Sequence, residues 1–370
     1  MLYMPIVKLF YEENGLDNFQ LFLLHGIYSL VIALLEIPSG YAADIWGRKN
    51  ALIMGTTFGS IGFAIYSFTY GFWGFLLAEL ALGIGQSFIS GSDSAMLYDT
   101  LLDMKKEKQY LKYEGRISAT GNFAESIAGI LGALLAVVSA RTPYYYQTAV
   151  TILGIPAAIL LSSPVSHRKI IRGNFRYIFN VVKYALVENK PLRNAIMLSS
   201  VIGFSTLTMA WFAQIYFFTT GLPRAQYGII WTLLNLTVGL GSVFAYRIEK
   251  KLGVKLTVIL IITGIAGGYF LQGFFIAIWA ISLLFVFYFI RGIATPVLKN
   301  YINLNTVSDT RATVLSVRSL IIRIIFSVAG PFLGWMTDRI SLGMALIMAG
   351  TFIFILGGIA SVKVIHTSGR

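Results

Sequence analysis

Apolar residues in this chain gather in long unbroken runs, each closed by a short polar or glycine-containing gap. A helix needs about 20 such residues to cross a hydrocarbon core. On that measure the pattern predicts spans near 19–43, 50–69, 72–98, 113–140 and 144–162, then near 193–220, 225–246, 252–272, 275–298, 311–337 and 342–362. A further short run lies at 1–12. Continuous rather than alternating runs predict helices and not a membrane barrel. Within several runs the few polar residues recur every three or four positions and so share one helical face. Counting 1–12 as the first span, the fourth places Glu79, Gly83, Gln86, Ser90 and Asp93 on one arc, with Leu77, Ala81, Phe88 and Ala95 opposite. That arc is expected to look into a cavity. Similar stripes are His25, Ser29, Glu36 and Gly40 in the second span and Ser118, Asn122, Glu125, Gly129 and Gly132 in the fifth. The eighth carries Asn235, Gly239, Ser242 and Tyr246, and the eleventh Ser316, Arg323, Ser327 and Gly334.

The two sets of spans read as copies. Gly15-Leu16 followed by Gln20 recurs 206 residues on as Gly221-Leu222 followed by Gln226, and Gly47 meets Gly253 at the same offset. The organisation expected is a six-helix bundle over 1–162, a cytoplasmic linker over 163–192 and a second six-helix bundle over 193–370. Two parallel six-helix repeats are a known transporter plan. By the same offset the first helix is short. Met1 to Tyr11 spans only about 17 Å at about 1.5 Å per residue, so it is expected to be truncated. Lys8 interrupts it and no small-residue cleavage site follows, which argues against a signal peptide.

Composition agrees with a membrane protein. Of 370 residues, 56% are hydrophobic and 12% charged, and mean hydropathy is +0.74. Soluble domains carry about 25% charged residues. A soluble enzyme, a disordered chain and a disulfide scaffold are thereby excluded. There is no cysteine, and the three histidines, His25, His167 and His366, are scattered. A thiolate or histidine metal centre, a cysteine nucleophile and any cofactor are not expected. No Gly-Lys pair occurs, so a phosphate-binding loop for ATP is absent.

The net charge of +13 has a simpler account than nucleic acid. With the 43–50 loop in the cytoplasm, 22 basic residues fall on that side. Only Arg141, Arg224 and Arg339 fall outside, while Lys8, Arg291, Arg318 and Arg323 lie within spans. This bias predicts both termini in the cytoplasm. The basic stretch 167–193 would then rest on anionic lipid.

Between the second and third spans stands Glu36-Ile37-Pro38-Ser39-Gly40-Tyr41-Ala42-Ala43-Asp44-Ile45-Trp46-Gly47-Arg48-Lys49. A Gly, an Asp four later, a Gly three further on and two basic residues resemble the signature of the major facilitator superfamily, closest to its drug:proton antiporter-like branch. The resemblance covers the whole chain. It implies an all-α membrane fold, two six-helix bundles around a cavity open alternately to each side, in a monomer at the plasma membrane. Gly40 suits close helix approach and Gly47 a tight turn. Asp44 has a natural partner in a helix N-terminus, and the helix beginning Ser308-Asp309-Thr310-Arg311 fits; the resemblance makes this a latch. The second copy is degenerate, with Lys250 where Asp44 aligns. Members of the branch often carry an Arg in the fourth span and Gly-Pro in the fifth; here Glu79 and Ala128-Gly129-Ile130-Leu131-Gly132 stand there.

Charges at membrane depth are costly and mark function by default. The candidates for the cavity or for proton coupling are Glu36, Glu79, Gln86, Asp93, Glu125, Arg291 and Arg323. Glu125, Arg291 and Arg323 lie near mid-membrane, where a buried ion pair could form. His25 is read as a satisfied polar group near the outer surface. A carboxyl in an apolar cavity favours its neutral form, which suits it to carry a proton. The leading expectation is a secondary transporter exporting lipophilic small molecules against protons. Uptake of a nutrient or organic anion held by Arg291 and Arg323 is the alternative, and a non-transporting scaffold or sensor a third.

Overall fold

The computed structural model describes residues 1–90, 92–106, 109–163, 175–306 and 310–368. Among these no strand occurs. The helices are α1 (Val7–Glu13), α2 (Asn18–Trp46), α3 (Arg48–Phe68), α4 (Gly71–Ile89), α5 (Ser92–Asp103), α6 (Tyr110–Val138) and α7 (Thr142–Leu160). Then follow α8 (Phe175–Lys183), α9 (Lys190–Thr219), α10 (Arg224–Phe274), α11 (Ile281–Leu304), α12 (Arg311–Arg339) and α13 (Leu342–Ser368). A 3-10 turn, Met4–Ile6, leads into α1. α10 is two helices broken at Gly253, whose φ of 71° lies in the left-handed region.

The predicted spans fall on these helices within a few residues, except that the run predicted at 275–298 is α11, Ile281–Leu304, and that the fourth is broken. The run 72–98 is not one helix: Ser90 takes ψ 116°, α4 ends at Ile89, and α5 starts afresh at Ser92. Period alone cannot register a local change of ψ, and the Ser90-Gly91 pair was its only local sign. Asp93 is therefore not on a continuous arc with Glu79.

The internal repeat extends to backbone geometry. Gly15 and Gly221 have φ of 76° and 73°, and Gly47 and Gly253 have 89° and 71°. Leu16 N–H donates to Tyr11 O as Leu222 N–H donates to Phe217 O, and Gly15 N–H to Glu12 O as Gly221 N–H to Phe218 O. The 6→1 bond with a left-handed glycine is the Schellman ending, so α1 and α9 are closed by the same device.

The chain forms two compact units. The first holds Met1–Leu16, α2 from Leu24 onward, α3 to α7, and Arg224–Ile229 at the start of α10. Within it α3 packs on α4 and α7, through small residues. A methyl carbon built on Gly62 would lie 2.6 Å from Leu82 Cγ, and one on Gly85 2.8 Å from Gly55 O. Backbones in lipid approach where side chains are absent. Around this seam an aromatic core closes. Phe10, Tyr11, Phe75 and Tyr144 are almost fully buried, with Phe10 stacked on Tyr144 at 3.9 Å. Pro38 interrupts the bonding of α2, and Ser39 Oγ donates to Ser87 O at 2.8 Å, tying α2 to α4.

The second unit holds Asp17–Leu23, α8, α9, α10 from Ile230 onward, and α11 to α13. α9 is its hub, packing on α11, α12 and α13. Asn189 caps it by accepting Leu192 N–H at 3.0 Å, with a proline in the first turn. α10 approaches α11 through Gly241 and Gly292, each close to the other's backbone.

Candidate functional site

Four helices of the first unit bring polar side chains to one buried point. Glu79 of α4 is 3% exposed, and His25 of α2 is 5% exposed. His25 Nδ1 lies 3.1 Å from Glu79 Oε1. The Tyr66 hydroxyl of α3 donates to the same oxygen at 2.7 Å, and the Tyr11 hydroxyl of α1 at 3.3 Å. The two hydroxyls are themselves 2.5 Å apart. The Tyr11 ring stacks on the His25 ring at 5.7 Å and on Phe75 at 5.3 Å. A carboxylate far from water needs such partners, because burying it unpaired would be costly. The carboxyl–imidazole pair can hold one proton on either group without a change of net charge. A second proton makes it a cation.

Arg141, at the start of α7, closes one end of this cluster. Its Nη1 donates to the carbonyls of Tyr66 (3.1 Å), Ser67 (3.0 Å) and Thr69 (2.8 Å), and its Nη2 to Asn14 Oδ1 (2.5 Å). The guanidinium also lies over the Phe10 and Tyr70 rings, at 5.1 and 4.0 Å. It thus satisfies the carbonyls left open where α3 ends and holds Tyr66 from its backbone side.

The signature segment is only partly described. The side chains of Asp44 and Arg311, and residues 307–309, lie outside the described residues, so the expected latch does too. Gly47 is the N-cap of α3 with φ 89° and ψ 146°, the tight turn predicted. Gly40 is exposed, and among the described residues nothing lies within 4 Å of where its Cβ would be. Arg48 pairs with Asp99 of α5 at 3.1 Å, and Lys49 is half-buried.

Two further expectations need correction. The Glu79–Gly83 face of α4 does not look into a cavity. A methyl carbon on Gly83 would lie 2.8 Å from Val31 Cγ1, so that face is a seam against α2. Glu125 is exposed on α6 and is not a buried charge of its unit. His25 is a satisfied polar group, as expected, and its partner is Glu79. Of the remaining candidates, Glu36 and Gln86 are half-buried, and Asp93 is exposed and accepts Ser94 N–H at 2.7 Å. Arg291 is half-buried over the Tyr288 ring at 5.3 Å, and Arg323 is half-buried on α12. Missed by sequence reasoning were Tyr11, Tyr66 and Asp99, which look like ordinary apolar-run or loop residues, and Arg318, whose Nε lies 2.5 Å from Ser199 Oγ.

The family model described as Major Facilitator Superfamily matches residues 1–330. The chain is similar to an uncharacterized MFS-type transporter of Methanocaldococcus jannaschii, 24% identical over 266 residues, covering 70% of this chain and 66% of that protein. It is also similar to the quinolone resistance protein NorA of Staphylococcus aureus, 23% identical over 164 residues, covering 44% of this chain and 41% of NorA. The matches thus span just under two thirds of the first relative and less than half of the second. Among solved structures it resembles the nucleoside transporter NupG, with a TM-score of 0.79, 13% identity and 98% and 93% of the two chains covered. A POT family transporter in complex with a thioalcohol-conjugated peptide gives 0.73, 14%, 97% and 91%. At these identities the likeness is one of fold.

Proposed function

This chain belongs to the major facilitator superfamily and is a multi-pass membrane transporter, not an enzyme; from that premise we propose that it exports lipophilic small molecules in exchange for protons. Proton coupling rests on one observation, the Glu79–His25 pair enclosed by Tyr11 and Tyr66. A paired ionisable group at membrane depth is the usual form of a proton relay. Glu79 is the carrier in this reading, and His25 shares its proton. The cluster is shut in by close-packed rings, so the proton is occluded here and is exchanged with water in the other state of the cycle. Export of lipophilic compounds is supported by the similarity to NorA, whose name states quinolone resistance. Glu36, Gln86, Asp93 and Glu125 are secondary candidates for lining the path. The frame of the proposal is two six-helix halves, 1–162 and 193–370, with the linker 163–192 and both termini in the cytoplasm at the plasma membrane. Asp44 would latch on the helix begun by Arg311.

A second reading has its own observation. The second unit carries Arg318, bonded to Ser199, and half-buried Arg291 and Arg323, a basic set suited to an organic anion or phosphate taken up as a nutrient.

Inside-out vesicles loaded with a pH-sensitive dye separate these. Lipophilic cations are expected to trigger proton release, and Glu79→Gln to abolish it. Release undiminished in Glu79→Gln removes Glu79 as carrier. A response confined to organic anions and lost in Arg291→Gln or Arg323→Gln favours uptake. Folded protein silent to every compound sinks the exporter reading and favours a non-transporting scaffold.

A further inference from the structure

The carboxylate of Asp338, in the last turn of α12, is seated on the N-terminus of α2. It accepts Phe19 N–H at 2.7 Å, Asn18 N–H at 3.2 Å and Asn18 Nδ2 at 2.6 Å. Free N–H groups and the helix dipole favour an anion at this place. One turn back along α12, Gly334 is so near that a methyl carbon on it would lie 2.5 Å from Asn18 O. Another turn back, Gly330 faces the Phe22 ring. Phe22 is 0% exposed, packed edge-on to Phe212 at 5.1 Å and near Phe326 at 6.1 Å. Gly330, Gly334 and Asp338 thus form a track on α12 that receives the first turn of α2.

That turn, Asp17–Leu23, is part of the second unit, whereas α2 from Leu24 onward is part of the first. The repeat does the same in reverse. Arg224–Ile229, the first turn of α10, is part of the first unit, and α10 from Ile230 onward is part of the second. The two turns occupy equivalent places, 206 residues apart. The α10 turn is held by Arg224 Nη1 to Glu13 Oε1 at 2.8 Å and by Gly228 against Gly129 O and Ala133. The two helix starts are equivalent in the repeat, and each is held by contacts of its own.

We infer that Asp338 is a releasable latch, holding the first turn of α2 on α12 in one state of the transport cycle and letting it go in the other. Its exposure fits release. Hydrogen bonds at the water-facing end of a helix exchange readily for bonds to water, whereas a buried pair would resist breaking. The latch requires only that the transporter change state, and it stands whether or not Glu79 carries protons or the cargo is exported.

The chain lacks cysteine, so one introduced thiol reports alone. Leu21→Cys, at a position 1% exposed on the latched turn, would be labelled in proteoliposomes with a membrane-impermeant maleimide. Ile278→Cys, at a position 53% exposed, serves as the control. Asp338→Ala is expected to speed labelling at position 21 several-fold and leave position 278 unchanged, with Asp338→Glu restoring slow labelling. Equal rates at position 21 with and without Asp338 overturn the latch, as does a parallel rise at 278, which signals general loosening. Asp338→Asn keeps the shape and is run beside the alanine variant. If neither yields monodisperse protein, Asp338 is a fixed staple and the inference fails.

Discussion

At the scale of single residues, the cluster around Glu79 makes separable demands. Tyr66 gives Glu79 its shortest hydrogen bond, 2.7 Å against 3.3 Å from Tyr11. A buried hydrogen bond to a charged group contributes about 1.5–3 kcal/mol. Tyr66→Phe is therefore expected to lower the apparent Tm in detergent, and Tyr11→Phe to lower it less. Measured in a Glu79→Gln background, the loss from Tyr66→Phe is expected to shrink, since its acceptor is no longer a carboxylate; strict additivity would show that the two do not interact. Arg141 is the other test. It gathers four hydrogen bonds and two ring contacts, an arrangement that needs a planar fork rather than a point charge. Arg141→Lys is expected to destabilise almost as much as Arg141→Ala, and thermal unfolding that leaves the Lys variant at the level of the parent would contradict the planar-fork account. Glu79 was legible as a lone carboxylate in an apolar run. Its partners were not, because they come from three other helices and a buried Tyr has the same sequence appearance as one facing lipid.

At the scale of helices, the glycines divide by what their backbone does. Gly40 and Gly47 both stand in the signature, and the sequence assigns each a purpose. Gly40 lies inside a helix, and no described residue comes within 4 Å of where its Cβ would be. Alanine there is expected to be neutral or stabilising, by up to about 1 kcal/mol from helix propensity. Gly47 holds φ 89°, where a Cβ costs on the order of 1–2 kcal/mol. Gly47→Ala should therefore lower the apparent Tm while Gly40→Ala raises or keeps it, a reversal of what motif membership alone implies. Equal losses at both would mean that Gly40 is pressed against another surface in the working protein. The spans themselves were legible because lipid forces every backbone group into helix, so apolar length alone reveals them. The break of the fourth span at Ser90 was not, since one ψ value leaves no trace in hydrophobic period.

At the scale of the whole molecule, the charge pattern predicts an orientation, and each of the three basic residues that depart from the pattern has a partner or a place in the structure. Arg141 is caged by carbonyls and rings, Arg224 pairs with Glu13, and Arg339 ends α12, where a cation complements the helix dipole. Each of the three thus has a local task, and the predicted orientation rests on the bias of the other loop cations. Two consequences can be measured in the cysteine-free chain. Tyr70→Cys and Ile278→Cys, both exposed and outside the cell in the predicted orientation, are expected to react with an impermeant maleimide in intact cells, and Met104→Cys, also exposed, only after lysis. Replacing Arg224 with Gln should leave this pattern unchanged while weakening the hold on the start of α10. Labelling of position 104 from outside would place the basic loops on the wrong side and undo the orientation. A pattern that flips on loss of Arg224 alone would show the outer cations to be topological after all, and the structural tasks assigned to them incidental.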